Sequence, residues 1–355
     1  MVAIGERIKQ ARIAAGLSLR ELAERVGVSA MAISKYENGL MVPGSDVLIR
    51  LGNALGVKVG YFLRPVQVDV QRPAFRKHRC VTKRVQGMIE GRIKEFLERY
   101  LAAEDAFGPD TMPVFVRPDS CSGTLQSVED AETWAEGLRA AWGLGNDPIA
   151  NLCETLEDHG VKVILIEDVD EKFDGYSCWA NEVVPVVACR MGDDLPGDRQ
   201  RFTLAHELFH LLLADHLGEG VDVEKACHRF AGALLVPRVA VEQEVGRRRG
   251  RIEFKEAHSL KHKWGLSMAA WFHRLADLGI ISANQYRTIA RQFRKNGWSK
   301  REPGTQVEPE HTQRFERLVE RAVAEDIISV SRAADFLNRP LIEVRREMGW
   351  PKPGV

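Results

Sequence analysis

Two histidines four residues apart, with a glutamate directly after the first, occur at His206-Glu207-Leu208-Phe209-His210. Four residues advance an α-helix by about 400°, so His206 and His210 project from nearly the same side, one turn apart. Two imidazoles placed in this way can share one metal ion. Leu204, Leu208, Leu211 and Leu212 clothe the rest of the expected helix and would shield the site from bulk water. Glu207 stands beside the first ligand, where it can accept a proton from a water that the metal polarises. Zn2+ suits these donors, because it takes tetrahedral nitrogen and oxygen ligands and keeps one position open for water.

Two histidines do not complete such a site, so the third ligand decides what the motif means. The stretch VEKACHRFAGALLVP, residues 223–237, has Cys227, Phe230, Ala231 and Leu234 at helical spacing, which defines a buried stripe. Glu224 lies three residues before Cys227 and seven before Ala231, and is expected on that stripe. A carboxylate aimed at a core is costly unless a counter-charge meets it, and zinc on His206 and His210 would be that charge. His228 could also approach the metal. His216, six residues beyond His210, falls on a different helical face and is expected to cap the helix or meet solvent. Tyr176, in DGYSCW, could donate a hydrogen bond to an oxyanion, although a core tyrosine is the plainer reading.

RFTLAHELFHLLL followed by E-x-x-C-H-x-F-A-x-x-L-L-x-P resembles the ImmA/IrrE family of zinc metallopeptidases. The likeness runs from about residue 127 to 290 and takes in AETWAEGLRAAWGLGNDPI and LKHKWGLSMAAWFHRLADLGII. It implies zinc held by His206, His210 and Glu224, with Glu207 as general base, in an endopeptidase. It also implies a protein substrate: a repressor or other regulator, or a neighbouring copy of the chain. Cys227 and His228 stand where the family usually carries Ala and Asn.

The elements before this site read as a separate helical unit. Ile4, Ile8 and Ala11 mark one helix ending at Gly16, and Leu19, Leu22, Ala23 and Val26 mark a second ending at Gly27. Ser29 is a good N-cap for a third, and two short helices follow, SDVLIRLGNALG and VKVGYFL. Two short helices joined at a tight glycine turn are the arrangement that lays a recognition helix in the major groove. ELAERVGVSAMAISKYENGLMVP resembles the Xre helix-turn-helix family, which implies binding to an operator in double-stranded DNA. Arg20, Ser29, Ala30, Met31, Ser34 and Lys35 are the candidate contacts. Ala30 and Met31 can touch a thymine methyl but cannot make bidentate base hydrogen bonds, so backbone contacts should dominate.

Charge is distributed to match. Overall, 50 basic residues balance 50 acidic ones, yet residues 109–238 hold 24 acidic against 10 basic side chains. The six cysteines are scattered with apolar or helical flanks, which points to reduced thiols in the cytoplasm. No apolar run approaches the roughly 18 residues of a membrane span, and none forms a signal peptide.

The expected fold is α+β. A five-helix helix-turn-helix domain fills residues 1–66, and a linker with a long helix fills 67–112. A mainly helical, zincin-like metallopeptidase domain with a small sheet fills 113–240, followed by a helical C-terminal region, 241–355. Within it RRRGR, 247–251, reads as an exposed loop, and LKHKWGLSMAAWFHRL echoes a helix-turn-helix outline whose Trp264, Trp271 and Phe272 argue for packing. The function read from this is a homodimeric DNA-binding regulator with a zinc endopeptidase, cleaving a partner regulator or itself in a stress, phage or mobile-element circuit. The alternative is a non-proteolytic repressor or antitoxin whose zinc domain is structural or senses a ligand.

Overall fold

A computed structural model describes residues 2–64, 66, 68–71, 82–108, 111–213, 216–299 and 301–348. The basic cluster RPAFRKHR of the expected linker, and Cys80, lie outside these residues.

The head contains α1 (Val2–Ala14), α2 (Leu19–Val26), α3 (Ala30–Glu37) and α4 (Ser45–Leu55). The expected fifth helix is a short 3-10 turn, Val59–Leu63. Local chemistry sets the boundaries. Ser18 and Glu21 cap α2 reciprocally, and Gly27 ends it in the left-handed conformation at φ 71°. Ser29 then caps α3 by accepting from the Ala32 amide. Ile8, Leu22, Ala23, Val26, Ile33, Leu51 and Phe62 close over one another as the head's core.

The long helix α5 (Lys83–Asp105) begins at an N-cap threonine, Thr82, and joins the head to the rest. Gly91 lets α1 approach closely: a Cβ there would stand 2.8 Å from both Ala14 Cα and Ala14 Cβ. Arg7, 1% exposed, ion-pairs with Glu98 of α5, and Arg84 donates to the Gly16 carbonyl at 2.6 Å. The head is therefore docked on α5.

After α5 come α6 (Asp130–Ala141) and α7 (Leu152–Asp158), then strands β2 (Lys162–Ile166), β3 (Gly175–Ala180) and β4 (Val184–Arg190). The pair β1 (Val70–Gln71), from the expected linker, completes a sheet of order β1-β3-β4-β2. β4 runs parallel to β2 and antiparallel to β3, and β1 runs antiparallel to β3. GVKVILIE and VVPVVACR are strands as their apolar runs predict. β3 had no such run to announce it. One face of the sheet, with Ile164, Ile166, Tyr176, Cys178 and Ala188, packs on Ile89, Ile93 and Leu97 of α5. The other face meets α8 (Gly197–Leu213) through Val163, Val187 and Cys189.

Behind α8 stands α9 (Val223–Leu235), flanked by α6, and then α10 (Arg238–Val245), α11 (Phe254–Trp264), α12 (Met268–Asp277) and α13 (Ala283–Lys295). One continuous core runs from Cys121 to Phe293. The expected boundary at residue 240 cuts through it, because Trp264, Trp271 and Phe272 fill the space beside α9 and tie the later helices to the earlier ones. Glu132 of α6 accepts from Arg229 of α9 at 2.7 Å and from Arg274 Nη1 of α12 at 2.6 Å, all three residues being buried. Buried charges held this way fix helix placement, since losing one partner strands the others. The last three helices, α14 (Arg314–Ala324), α15 (Val330–Phe336) and α16 (Leu341–Met348), form a separate small core with Tyr100 and Ala103 of α5. No helix among the described residues is long and apolar enough to cross a membrane.

Candidate metal centre and nucleic-acid interface

α8 and α9 bring the candidate metal ligands together. His206 and His210 lie one turn apart with their Nε2 atoms 3.2 Å from each other. Glu224, on the first turn of α9, places Oε2 3.4 Å from His206 Nε2 and Oε1 3.7 Å from His210 Nε2. Donor atoms about 2.1 Å from a tetrahedral centre stand about 3.4 Å apart. Three donors at this spacing on one small volume fit a zinc ion. His206 holds the Glu224 carboxyl down at about 2, well below the usual carboxylate range.

Glu224 departs from the expected burial. Its side chain is 67% exposed, although Cys227 and Ala231 of the same helix are fully buried. At the first turn the helix has not yet passed beneath its neighbours, so the carboxylate reaches the histidines along the surface. Cys227 is buried beside the equally buried His210, its Sγ 3.6 Å from His210 Nδ1 and 3.7 Å from Nε2. His228 lies on the exposed side, its ring 5.2 Å from that of His206, and burial against its neighbours lowers its pKa. The ligand-bearing atoms of His206, Glu224 and His228 lie within 4.8 Å of one another, as do those of His206, His210 and Cys227.

Glu207 is 3% exposed and points from α8 toward β3. The Ser177 hydroxyl donates to its Oε2 at 2.9 Å. Gly175 makes the approach possible: a Cβ there would stand 2.5 Å from Thr203 Cγ2 and 2.9 Å from Glu207 Oε1. Neither residue is singled out by the sequence. The available signal was strand alternation in DGYSCW, which puts Ser177 and Tyr176 on opposite faces. Tyr176 proves to be on the far face: it is 1% exposed, in the core under α5, and its hydroxyl donates to Glu90 at 3.2 Å. It is a packing residue and does not reach the cluster.

His216 lies beyond the end of α8, half-buried, with its ring set edge-on to Trp134 at 6.2 Å. RRRGR is a surface loop whose Arg247, Arg249 and Arg251 pair with Glu242, Glu256 and Glu253. A cavity of about 410 Å³ opens beside the cluster, walled by Phe202, His228, Ala270, His273, Tyr286 and Trp298 among others.

In the head, the candidate DNA contacts gather on one side of α2 and α3. Arg20, Ser29, Met31 and Lys35 are exposed, with Met31 at 69%, while Ala30 and Ser34 are half-buried. Ile33 and Tyr36, on the opposite side of α3, are buried. Arg12 pairs with Glu37 at 2.6 Å and pins the end of α3 to α1. The recognition helix is thus presented on a rigid base.

This fold and these sites define a helix-turn-helix regulator carrying a metallopeptidase-like domain. The helix-turn-helix family model matches residues 8–62, and that of the IrrE N-terminal-like domain matches residues 156–276. The second match crosses residue 240, in line with the continuous core. The regulator ImmR of Bacillus subtilis is 27% identical over 85 residues, covering 24% of this chain and 67% of ImmR. An uncharacterised helix-turn-helix regulator of Mycobacterium tuberculosis is 30% identical over 115 residues, covering 31% of this chain and 82% of its own length. The prophage-derived regulator YonR of Bacillus subtilis is 35% identical over 60 residues, 17% of this chain and 56% of YonR. No solved structure matches the chain significantly. The chain belongs to the helix-turn-helix transcriptional regulators, and its residues 156–276 match the IrrE N-terminal-like domain.

Proposed function

We propose that this regulator is a zinc-dependent endopeptidase that binds operator DNA through its head, as a homodimer, and cleaves a partner regulator or a second copy of itself. The observation that carries the reading is Glu207. A carboxylate buried beside two histidines, held by Ser177, with a glycine cleared to admit it, is the arrangement of a general base. A purely structural metal site has no use for it.

His206, His210 and Glu224 would hold the ion. Zinc bound there would lower the pKa of a water and polarise the scissile carbonyl. Glu207 would accept the proton from the attacking water, with Ser177 fixing its Oε2. It then returns the proton to the leaving amine. Leu204, Leu208, Leu211 and Leu212 keep bulk water from the back of the site. The neighbouring cavity, with aromatic walls, suits a substrate side chain. Exposure of Glu224 favours the same reading, because a ligand at the surface leaves the ion reachable by a protein chain.

Glu207→Gln preserves size and polarity but removes the base. Zinc content should stay near one equivalent, while loss of the partner regulator in cells falls by about 10²–10⁴. Wild-type substrate loss in this variant would replace the peptidase with a non-proteolytic repressor whose zinc domain is structural or ligand-sensing.

A further inference from the structure

The local pattern that builds the head's helix pair recurs at the other end of the chain. Ser18 caps α2, and Ser329 caps α15 by accepting from the Arg332 amide at 3.2 Å. Ala23 is 4% exposed in the first helix of the head, and Ala334 occupies the same step of α15 at 1%. Each first helix ends at a left-handed residue, Gly27 at φ 71° and Asn338 at φ 50°. Asn is the non-glycine residue best able to take that conformation. Each second helix starts three residues later, at Ala30 and at Leu341, and each buries one aliphatic at its fourth position, Ile33 and Val344, both 0% exposed. The register holds without a gap from Ser18–Glu37 to Ser329–Met348.

A similar outline occurs between α11 and α12, with Gly265 left-handed at φ 62° and Ser267 as cap. There the second helix is consumed by the core: Met268, Trp271, Phe272, Arg274 and Leu275 are all buried. Local pattern alone therefore does not make a docking helix. Exposure does.

α16 differs from α12 and agrees with α3. It buries only Val344, and it leaves Ile342 75% exposed where the head leaves Met31 69% exposed. Arg345 and Arg346 are exposed and enter no ion pair among the described residues. Of the nearby acids, Asp335 is matched by Lys58 at 2.6 Å and Arg64 at 3.8 Å, and Glu347 and Glu343 by Arg339 at 2.5 and 4.0 Å, while Glu316 and Glu320 of α14 line the groove beside Val344 and Glu347. What α16 itself presents without an ion-pair partner among the described residues is two guanidinium groups beside an exposed aliphatic, a surface complementary to a polyanion with methyl groups in its groove.

We propose that α15 and α16 form a second duplex-DNA-binding helix pair, with Arg345 and Arg346 on backbone phosphates and Ile342 at the base edges. Lys58 and Arg64 of the head grip Asp335 of α15, and Arg99 of α5 donates to the Phe336 carbonyl at 2.7 Å. The two helix pairs are thus fastened to one body, and a single chain can engage DNA at two places. The inference does not depend on the peptidase reading.

The test uses the full-length protein and a labelled duplex of mixed sequence, with anisotropy titrations over a range of salt concentrations. Replacing Arg345 and Arg346 together with Ala should weaken binding by about tenfold and reduce the salt slope by about 1.8, the release of two phosphate contacts. Replacing both with Lys should restore the slope, which a folding defect would not allow. A variant with Arg20→Ala and Lys35→Ala should keep residual salt-dependent binding that the added Arg345→Ala and Arg346→Ala changes abolish. An unchanged affinity and slope in the C-terminal Ala variant overturns the proposal. So does unchanged DNA binding with a fall in oligomer mass by light scattering, which would make α16 a protein interface.

Discussion

The candidate metal cluster and the head's helix pair are built on opposite plans. The cluster draws its groups from three elements, His206, Glu207 and His210 from α8, Glu224 from α9 and Ser177 from β3, and it rests against the largest core among the described residues. The head offers its candidate contacts from one short stretch of chain, mostly outward from a small core. At the cluster, functional and structural roles therefore overlap: Gly175 is small because Glu207 must fit, and α9 is locked by Arg229 and Glu132 before Glu224 can point anywhere. In the head the exposed candidates Arg20, Met31 and Lys35 carry no such structural role, although Ser29 also caps α3. Function that needs several elements to converge is tied to stability, and function laid along one exposed helix is separable from it.

Glu224→Ala should show the tie most strongly. Loss of a direct ligand should lower zinc affinity by about 100-fold or more, since supporting residues alone are worth 10–100-fold. The melting temperature of the zinc-loaded protein should fall with it, because metal-binding energy contributes to folding. A chelator competition and a melt read both. Full zinc affinity would place the third ligand elsewhere, with His228 the first residue to examine.

Gly91→Val probes the joint between the two regions. The added side chain must displace Ala14, an overpacking that costs about 1–3 kcal/mol. The head should melt earlier while zinc content holds. A matching loss of zinc would mean that the head and the cluster are coupled through α5 more tightly than their separate cores imply.

The smallest effect is expected from Arg20→Ala with Lys35→Ala. Duplex affinity should drop by about tenfold with a flatter salt dependence. Stability should stay within about 0.5 kcal/mol, because both side chains are exposed and outside the core. A clear drop in melting temperature would break the contrast, since it would show the head's contacts also holding its fold.

Much of this was legible from sequence, and the legible part has a common physical basis. Caps, glycine stops and the 3.6-residue period are local, so α2, α3 and the shared face of His206 and His210 follow from neighbours in the chain. Glu224 was found through the same period, but its burial was misjudged. Periodicity assigns a residue to a stripe and does not say how far along the helix the neighbouring elements cover it. The boundary at 240 failed for a related reason: nothing local reveals that Trp264, Trp271 and Phe272 pack against α9.

By itself, the sequence determined which residues could bind metal, which could accept a proton and which helix pair could meet DNA. Tertiary structure decided among β3's alternating side chains. Ser177 faces Glu207 and Tyr176 faces α5 because the sheet pairs in one register, and a one-residue slip would exchange them. It likewise decided the fate of three similar helix pairs. α12 is sealed in a core while α3 and α16 remain open, because burial is set by whichever distant elements arrive to cover a helix, and the helix's own residues carry no record of them.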